Sequence, residues 1–292
     1  MRRPKILVLG GSGQLGGAIA ADPSASQFEI HAPASAQLDV RDSAALLAAI
    51  DAARPDYVIN CAAYTAVDRA ESERDLAFLI NADGPRNVAE ACNRSGAYLI
   101  HISTDYVFDG ESDRPYRESD VARPINVYGE SKLLGERLVA TAAPESCVLR
   151  VSWLFGSSSN SFVAKILARA QRGEPLRVVN DEFGCPTAAA GVAEVLLRIV
   201  GRGMRPAGLF HYCGAPQTTR HGFATEIVRQ AHGLGLLRSV VEVTSIASSE
   251  LGGTTRRPKF SVLDMSRFEA EVGIGPDDWT ARLPQVVSPS AG

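Results

Sequence analysis

Cysteine is scarce in this sequence and badly placed for metal or disulfide chemistry. Cys61, Cys92, Cys147, Cys185 and Cys213 stand singly and far apart, without a paired metal-ligand spacing or a dense disulfide framework. We read them as reduced packing residues. No charge of one sign dominates either, since 30 Lys and Arg face 33 Asp and Glu for a net charge of -3. A bulk basic field for phosphate backbones or anionic lipid is excluded, and nucleic acid is not an expected partner. Long apolar runs are also missing, because none approaches the roughly 18 to 20 residues that a membrane-spanning helix needs. Arg2 and Arg3 lead straight into a short apolar run with no cleavable signal pattern, so the expected location is the cytoplasm. Internal repeats, low-complexity tracts and long charge runs are lacking as well. What is present is a globular composition, 292 residues with 45% hydrophobic and 22% charged, which fits about two domains.

Short runs rich in Val, Ile and Leu alternate with Ala-rich helical stretches, the pattern of a parallel sheet covered on both faces. Strands are predicted at Lys5 to Gly10, Glu29 to His31, Tyr57 to Asn60, Tyr98 to Ser103 and Cys147 to Val151, with Leu38 to Val40 as a further candidate. Helices are predicted over about Gln14 to Ala21, from Ser43 as N-cap to near Arg54, and over Asp75 to Ser95, Val127 to Ala142 and Ala188 to Val200. Leu209 to Cys213 reads as a late return to the sheet. The fold class is therefore α/β, a Rossmann-type doubly wound parallel sheet with a smaller C-terminal α/β domain. The expected division is 1–152 plus roughly 188–213 for the dinucleotide, with 153–187 and 214–292 for the substrate.

Gly10-Gly11-Ser12-Gly13-Gln14-Leu15-Gly16 follows a predicted strand and opens a predicted helix. Glycines there let the backbone approach a pyrophosphate, and the helix start supplies amide groups and the positive end of the dipole. A tight turn with no ligand is the alternative. The adenosine ribose should be read at the end of the second strand, where His31-Ala32-Pro33 offers no carboxylate for a 2'-hydroxyl and no arginine for a 2'-phosphate. NADPH and NADH both remain open as cofactor. Asp39, after the candidate strand, contacts the adenine or caps a helix.

Tyr128 and Lys132 stand four residues apart on a predicted helix and so share one face. A cation beside a phenol lowers its pKa toward working pH and lets it act as an acid, although a solvated surface pair has the same spacing. The strand before this helix ends in Ser103-Thr104-Asp105-Tyr106, and open α/β sheets bind ligands outside the carboxyl ends of their strands. Thr104 then offers a hydroxyl to a substrate oxygen. Trp153 is a sugar platform or a core residue, and Arg256, Arg257 and Lys259 are diphosphate contacts or a solvated basic cluster. His101, inside an apolar strand, reads as structural, and no histidine has metal-like spacing.

The segments 60–71 (NCAAYTAVDRAE), 101–108 (HISTDYVF), 124–132 (PINVYGESK), Ser152-Trp153, 180–187 (NDEFGCPT) and Arg256-Arg257-Pro258 together span most of the chain. By these motifs the sequence resembles the extended short-chain dehydrogenase/reductases, and within them the dTDP-4-dehydrorhamnose reductases. The resemblance implies hydride transfer from NADPH or NADH to the 4-keto group of dTDP-4-dehydro-6-deoxy-L-mannose, giving dTDP-L-rhamnose, in dTDP-rhamnose biosynthesis. It implies catalytic roles for Thr104, Tyr128 and Lys132, and substrate contacts at Thr104, Asp105, Trp153 and Arg257. The cofactor cradle would comprise Gly10, Gly13, Gln14, Leu15, Gly16, Asp39, Val40, Ala62, Ala63, Tyr64, Ser103, Tyr128 and Lys132.

Related 4,6-dehydratases carry an Asp-Glu pair after the Thr, whereas this chain has Asp105-Tyr106. That departure disfavours elimination and leaves ketone reduction, with a 4-epimerase and a non-catalytic regulatory subunit of the methionine adenosyltransferase type as the alternatives. Some family members dimerise through a magnesium site with acidic ligands. This chain has Ala18 and Ala190 at those positions, so the expectation is no metal and a monomer or a homodimer without a magnesium bridge.

Overall fold

A computed structural model describes residues 2–250, 252 and 255–288; the outer ends of the two expected domains, Met1 and 289–292, lie outside them. In chain order the elements are β1 (Lys5–Leu9), α1 (Gln14–Ala21), β2 (Glu29–His31), α2 (Ser43–Ala53), β3 (Tyr57–Asn60), α3 (Val67–Ala70), α4 (Arg74–Phe78), α5 (Gly84–Ser95), β4 (Tyr98–Thr104), α6 (Val127–Ala142) and β5 (Cys147–Val151). There follow β6 (Leu154–Phe155), α7 (Phe162–Gln171), β7 (Leu176–Val179), β8 (Phe183–Gly184), β9 (Thr187–Ala188), α8 (Ala189–Gly201), β10 (Gly208–Tyr212), α9 (Arg220–Gly233), α10 (Ser266–Val272) and α11 (Trp279–Val287).

Six strands form one parallel sheet in the order β10-β5-β4-β3-β1-β2. Alternate side chains of each strand leave opposite faces, so an all-apolar strand feeds two cores. Ile6, Val8, Ile59, Ile100 and Leu149 pack with Leu15 and Ile19 of α1 and Val192 to Val200 of α8. Leu7, Leu9, Val58, Leu99 and Val148 pack on the other face with Leu46 of α2, Val88 of α5 and Val139 of α6. The late strand 208–212 does rejoin the sheet, pairing with β5. Beyond it, α7, α9, α11 and β7 enclose a separate core around Phe155, Phe223 and Trp279.

Three local readings are corrected. Leu38 to Val40 is not a strand; Leu38 and Val40 are buried as plugs in the α2 and α5 core, which imitates strand alternation without a ladder partner. Asp42, not Ser43, caps α2, its carboxylate accepting from the Ala45 amide at 2.9 Å. The single helix expected over 75–95 is interrupted between α4 and α5 by a π-helical turn at Leu79–Asp83. Pro85 has no N–H to give the Asn81 carbonyl four residues earlier, so the α-helical ladder fails there. α7, α9 and α11 carry a core of their own, each burying one stripe and so lacking the continuous apolar run of a strand.

The Asn81 carbonyl left by this break faces Gly135 of α6, where an added Cβ would sit 2.1 Å from the oxygen. Both contacting groups are backbone, so the helix itself would have to move. Gly135→Ala is therefore expected to lose about 1–3 kcal/mol of stability from overpacking, despite the ~1 kcal/mol that alanine adds in a helix, read as a lower urea midpoint.

Candidate active site

The chain runs from β1 to β2 on one side and resumes at β3 on the other, which makes the β1/β3 edge the switch point where a doubly wound sheet opens a crevice. The glycine turn and the 60–64 segment stand there. Gly10 has φ +78°, and a Cβ on it would lie 2.8 Å from the Ala62 nitrogen. A Cβ on Gly16 would lie 2.4 Å from the Gly10 carbonyl oxygen, which closes the turn onto α1. Gly13 caps α1 with no side-chain bond to its first-turn amides, which include the Leu15 turn. That is a donor set with the geometry of an anion cradle, and it fits the pyrophosphate of a dinucleotide. Gln14 reaches across instead, its amide donating to the Leu154 carbonyl at 3.1 Å.

Around this cradle, Asn60 accepts from the Ala62 amide at 3.1 Å, and the Asn81 side chain holds both backbone groups of Tyr64 at 2.8 and 3.0 Å. Ala62 and Ala63 thus lie along a fixed ledge. Asp39 is tied to Arg41 by a salt bridge, whose guanidinium holds the carboxyl below its ordinary range, and Val40 is buried against Gly84. Neither Asp39 nor its neighbour contacts the glycine turn directly, whereas Gly11 donates to the Pro33 carbonyl at 3.2 Å.

Asn126 starts α6, its side-chain oxygen accepting from the Gly129 amide at 2.8 Å while its nitrogen donates to the Arg256 carbonyl at 2.9 Å. This cap points Tyr128 at Thr104. Burial pushes the Tyr128 phenol above its ordinary value, the Thr104 hydroxyl countering in part by a hydrogen bond. At neutral pH the group is a phenol with a proton to give. Tyr106 packs edge-on against it, ring centroids 5.6 Å apart. Lys132 is 2% exposed and donates to the Ile102 carbonyl at 2.7 Å; burial lowers its pKa to about 8. Its charge is felt at Cys61 and His101 rather than at Tyr128, a difference from the spacing argument. The cause is the ammonium's attachment to the strand carbonyl.

On the other side of Thr104, Asp105 is 1% exposed and touches the Thr104 and Ser152 hydroxyls at 3.2 and 3.3 Å. Burial raises its pKa to about 6 against the opposing pull of Ser261, the Arg220 charge and Thr104. Trp153 takes φ +42° and is buried, with Gly184 against its indole and the Arg220 guanidinium 3.6 Å from its ring centroid. The ring face is covered. Arg220 also pairs with buried Glu182 at 3.7 Å, and Arg257 with Asp68 at 2.7 Å. Arg256 and Lys259 are exposed, Lys259 lying 3.9 Å from Asp181.

The RmlD substrate binding domain family matches residues 4–291. The chain is 36% identical to a dTDP-4-dehydrorhamnose reductase of Aggregatibacter actinomycetemcomitans, covering 97% of this chain and 98% of that one. It is 39% identical to another from Streptomyces griseus, over 96% and 92%. This chain belongs to the dTDP-4-dehydrorhamnose reductase family. Among solved structures, a Bacillus anthracis dTDP-4-dehydrorhamnose reductase in complex with NADP superposes with a TM-score of 0.91 at 31% identity, covering 98% of this chain and 99% of that one.

For a member of this family the sequence left several groups at the site unseen. Arg220, Glu182 and Ser261 come from three separate stretches that meet only in the fold, and a lone Arg after two threonines carries no local signal. Glu136 and Arg150 were unseen for another reason, since a Glu on a helix reads as surface and an Arg in CVLRV as an irregularity. Both are buried and joined. The raised Asp105 pKa gives a signed expectation. A carboxyl whose folded pKa lies above its unfolded 3.8 contributes stability below that value and loses it as pH rises through about 6. Asp105→Asn should therefore gain on the wild type between about pH 4 and 6 and hold that gain at higher pH, by at most about 3 kcal/mol, read as a gap in urea midpoints that widens and then levels off.

Proposed function

We propose that this chain uses NADPH or NADH to reduce the 4-keto group of dTDP-4-dehydro-6-deoxy-L-mannose (dTDP-4-dehydrorhamnose), yielding dTDP-L-rhamnose. The observation that carries this is a protonated, half-buried phenol at Tyr128 beside the Thr104 hydroxyl, at the carboxyl edge of a sheet whose switch point is a glycine cradle. The reduced nicotinamide, when bound along residues 10–16 and 62–64, supplies the hydride equivalent for carbon 4.

Thr104 hydrogen-bonds the ketone oxygen and polarises it. Tyr128 then delivers its proton to that oxygen as negative charge develops on it. Lys132 stands one helical turn along with its ammonium on the Ile102 carbonyl, and in this reading it holds the nicotinamide ribose. Tyr106 occupies the place where a second acid would be needed for elimination at carbon 6, and its raised pKa keeps it protonated and inert as a base. Residues 1–152 and 188–213 form the cofactor half in this reading, and 153–187 with 214–292 the sugar half. Arg220 and Arg257 face Asp105 and Tyr106 from that half, so the substrate diphosphate meets them over Trp153. No helix among the described residues is long and apolar enough to cross a membrane, and we place the chain in the cytoplasm as a monomer or a homodimer. Ala18 and Ala190 provide no carboxylate for a magnesium bridge.

Tyr128→Phe removes only the acid and should cut kcat by roughly 10² or more, with NADPH affinity little changed, followed as loss of nicotinamide absorbance with the 4-keto sugar. Arg220→Ala removes a charge-assisted contact and should raise the sugar KM by roughly tenfold, with kcat retained. Full turnover of the Tyr128→Phe protein would take the proton step away from this residue.

A further inference from the structure

Residues 128, 132 and 136 mark three successive turns of one face of α6, and each meets the end of β4. Tyr128 meets Thr104, Lys132 donates to the Ile102 carbonyl at 2.7 Å, and Glu136 accepts from the Ser103 hydroxyl at 2.5 Å. The first two are accounted for by the reaction. Glu136 is not, although it is 6% exposed and carries a formal charge. Its carboxylate is held in a fork by Arg150 of β5, through Nε at 2.8 Å and Nη2 at 2.6 Å, and Arg150 is 3% exposed. Arg150 donates onward to Nε2 of His211 at 3.4 Å, and His211 Nδ1 donates to the Tyr116 carbonyl at 3.1 Å. Burying two charges costs several kcal/mol before they attract each other. A hydrophobic pair would hold the same helix on the same sheet, so packing alone does not explain the ions.

We propose that Glu136 is a positioning residue for the ketone reduction: pinned by Ser103 and Arg150, it locks α6 in register with β4 and sets a fixed negative charge one turn from Lys132. The proposal rests on the reductase reading for its consequence in turnover, but not for its electrostatics. The groups facing Lys132 are Cys61 after β3, His101 of β4 and Glu136 of its own helix, with Arg150 of β5 behind Glu136. Cys61 and His101 are neutral, the thiol pushed up to about 12 and the imidazole held far below its ordinary value by burial. Glu136 is thus the only ionised acid among them. Arg74 and Glu130 pair on the exposed side of α6 and are screened by solvent.

Lysine offers a direct readout, because the chain contains only Lys5, Lys132, Lys165 and Lys259. With lysine labelled in 13C, an NMR pH titration of the full chain resolves four side chains, and the one lost in Lys132→Met identifies Lys132. In Glu136→Gln the Lys132 signal should titrate roughly one pH unit lower than in wild type. Lys132 titrating as in the wild type in folded Glu136→Gln would overturn the proposal. Should that variant not fold because Arg150 is left unpaired, Glu136→Gln with Arg150→Met removes that cation too; Arg150 stands behind Glu136, so a smaller shift of Lys132 in the same direction is expected, and the absence of any shift overturns it. Ser103→Ala tests the register without touching a charge: Lys132 should titrate as before, with kcat at saturating NADPH down roughly tenfold. Unchanged kcat there removes the positioning role. If the wild type does not reduce the 4-keto sugar, the reductase reading fails while the titration still decides whether Glu136 governs Lys132.

Discussion

A lysine ammonium buried against a strand carbonyl is the interaction on which the site depends. Lys132 cannot reach bulk water, so its charge has to be supported by the protein. The Ile102 carbonyl provides one partner. That bond needs α6 close on β4, and two glycines of the same helix let neighbouring backbone approach it as well. A Cβ at Gly129 would lie 2.2 Å from the Tyr106 carbonyl oxygen, and one at Gly135 would strike the Asn81 carbonyl. The break between α4 and α5, the Pro85 that causes it and the Asn81 side chain that then holds Tyr64 and Ser131 all belong to this approach. One short distance between a helix and a strand thus organises elements on both sides of the switch point.

Closeness has an electrostatic cost, and the structure distributes it unevenly. Lys132 and Arg150 are both cations in the low-dielectric region behind β4, with Glu136 between them. His101 and His211 lie in the same layer, and burial keeps both neutral, His211 down to about 3. Neutral histidines serve as hydrogen-bonding spacers there without adding to the positive charge. His101 accepts from Asn60 at 3.2 Å through Nδ1, and its Nε2 has no partner among the described residues.

Legibility in the sequence followed the range of the interaction. Strands buried on both faces announce themselves as continuous Val, Ile and Leu runs, and so five of the six sheet strands were placed within a residue or two before any contact was known, and the sixth, 208–212, was anticipated as a return. The glycine turn and the Tyr128, Lys132 pair were legible because each is a local spacing on a predictable element. Leu38 to Val40 misled because a loop plug and a strand present the same alternation. Asp42 was overlooked in favour of Ser43 because both are good caps one residue apart and only the backbone decides. Trp153 could be read two ways, and its packing against Gly184 and Arg220 needed residues 31 and 67 positions away. Glu136 and Arg150 were invisible for the same reason: a buried ion pair exists as such only once helix and sheet have met.

A chain of net charge -3 that takes a dinucleotide and a nucleotide diphosphate sugar has to attract two pyrophosphates locally. It does so in two different ways. At the glycine turn the attraction is built into uncharged backbone, where amides at the start of α1 have no side-chain competitor. At the sugar side, in the proposed reading, it is held in arginines that already have partners, Arg220 with Glu182 and Arg257 with Asp68. An anion arriving there exchanges one carboxylate for another acceptor and gains only the difference between them. The partners are not equivalent in that exchange, because burial raises the pKa of Glu182 whereas Asp68 stands exposed. Releasing Arg257 frees a carboxylate that water solvates well. Releasing Arg220 leaves Glu182 buried and weakens the same positive charge at Asp105, and the least costly response is for one of these two carboxyls to take up a proton. Under that reading, diphosphate binding at Arg220 is coupled to the protonation of buried carboxyls, Asp105 beside Thr104 among them, and the sugar side of the site is more sensitive to pH than the glycine turn.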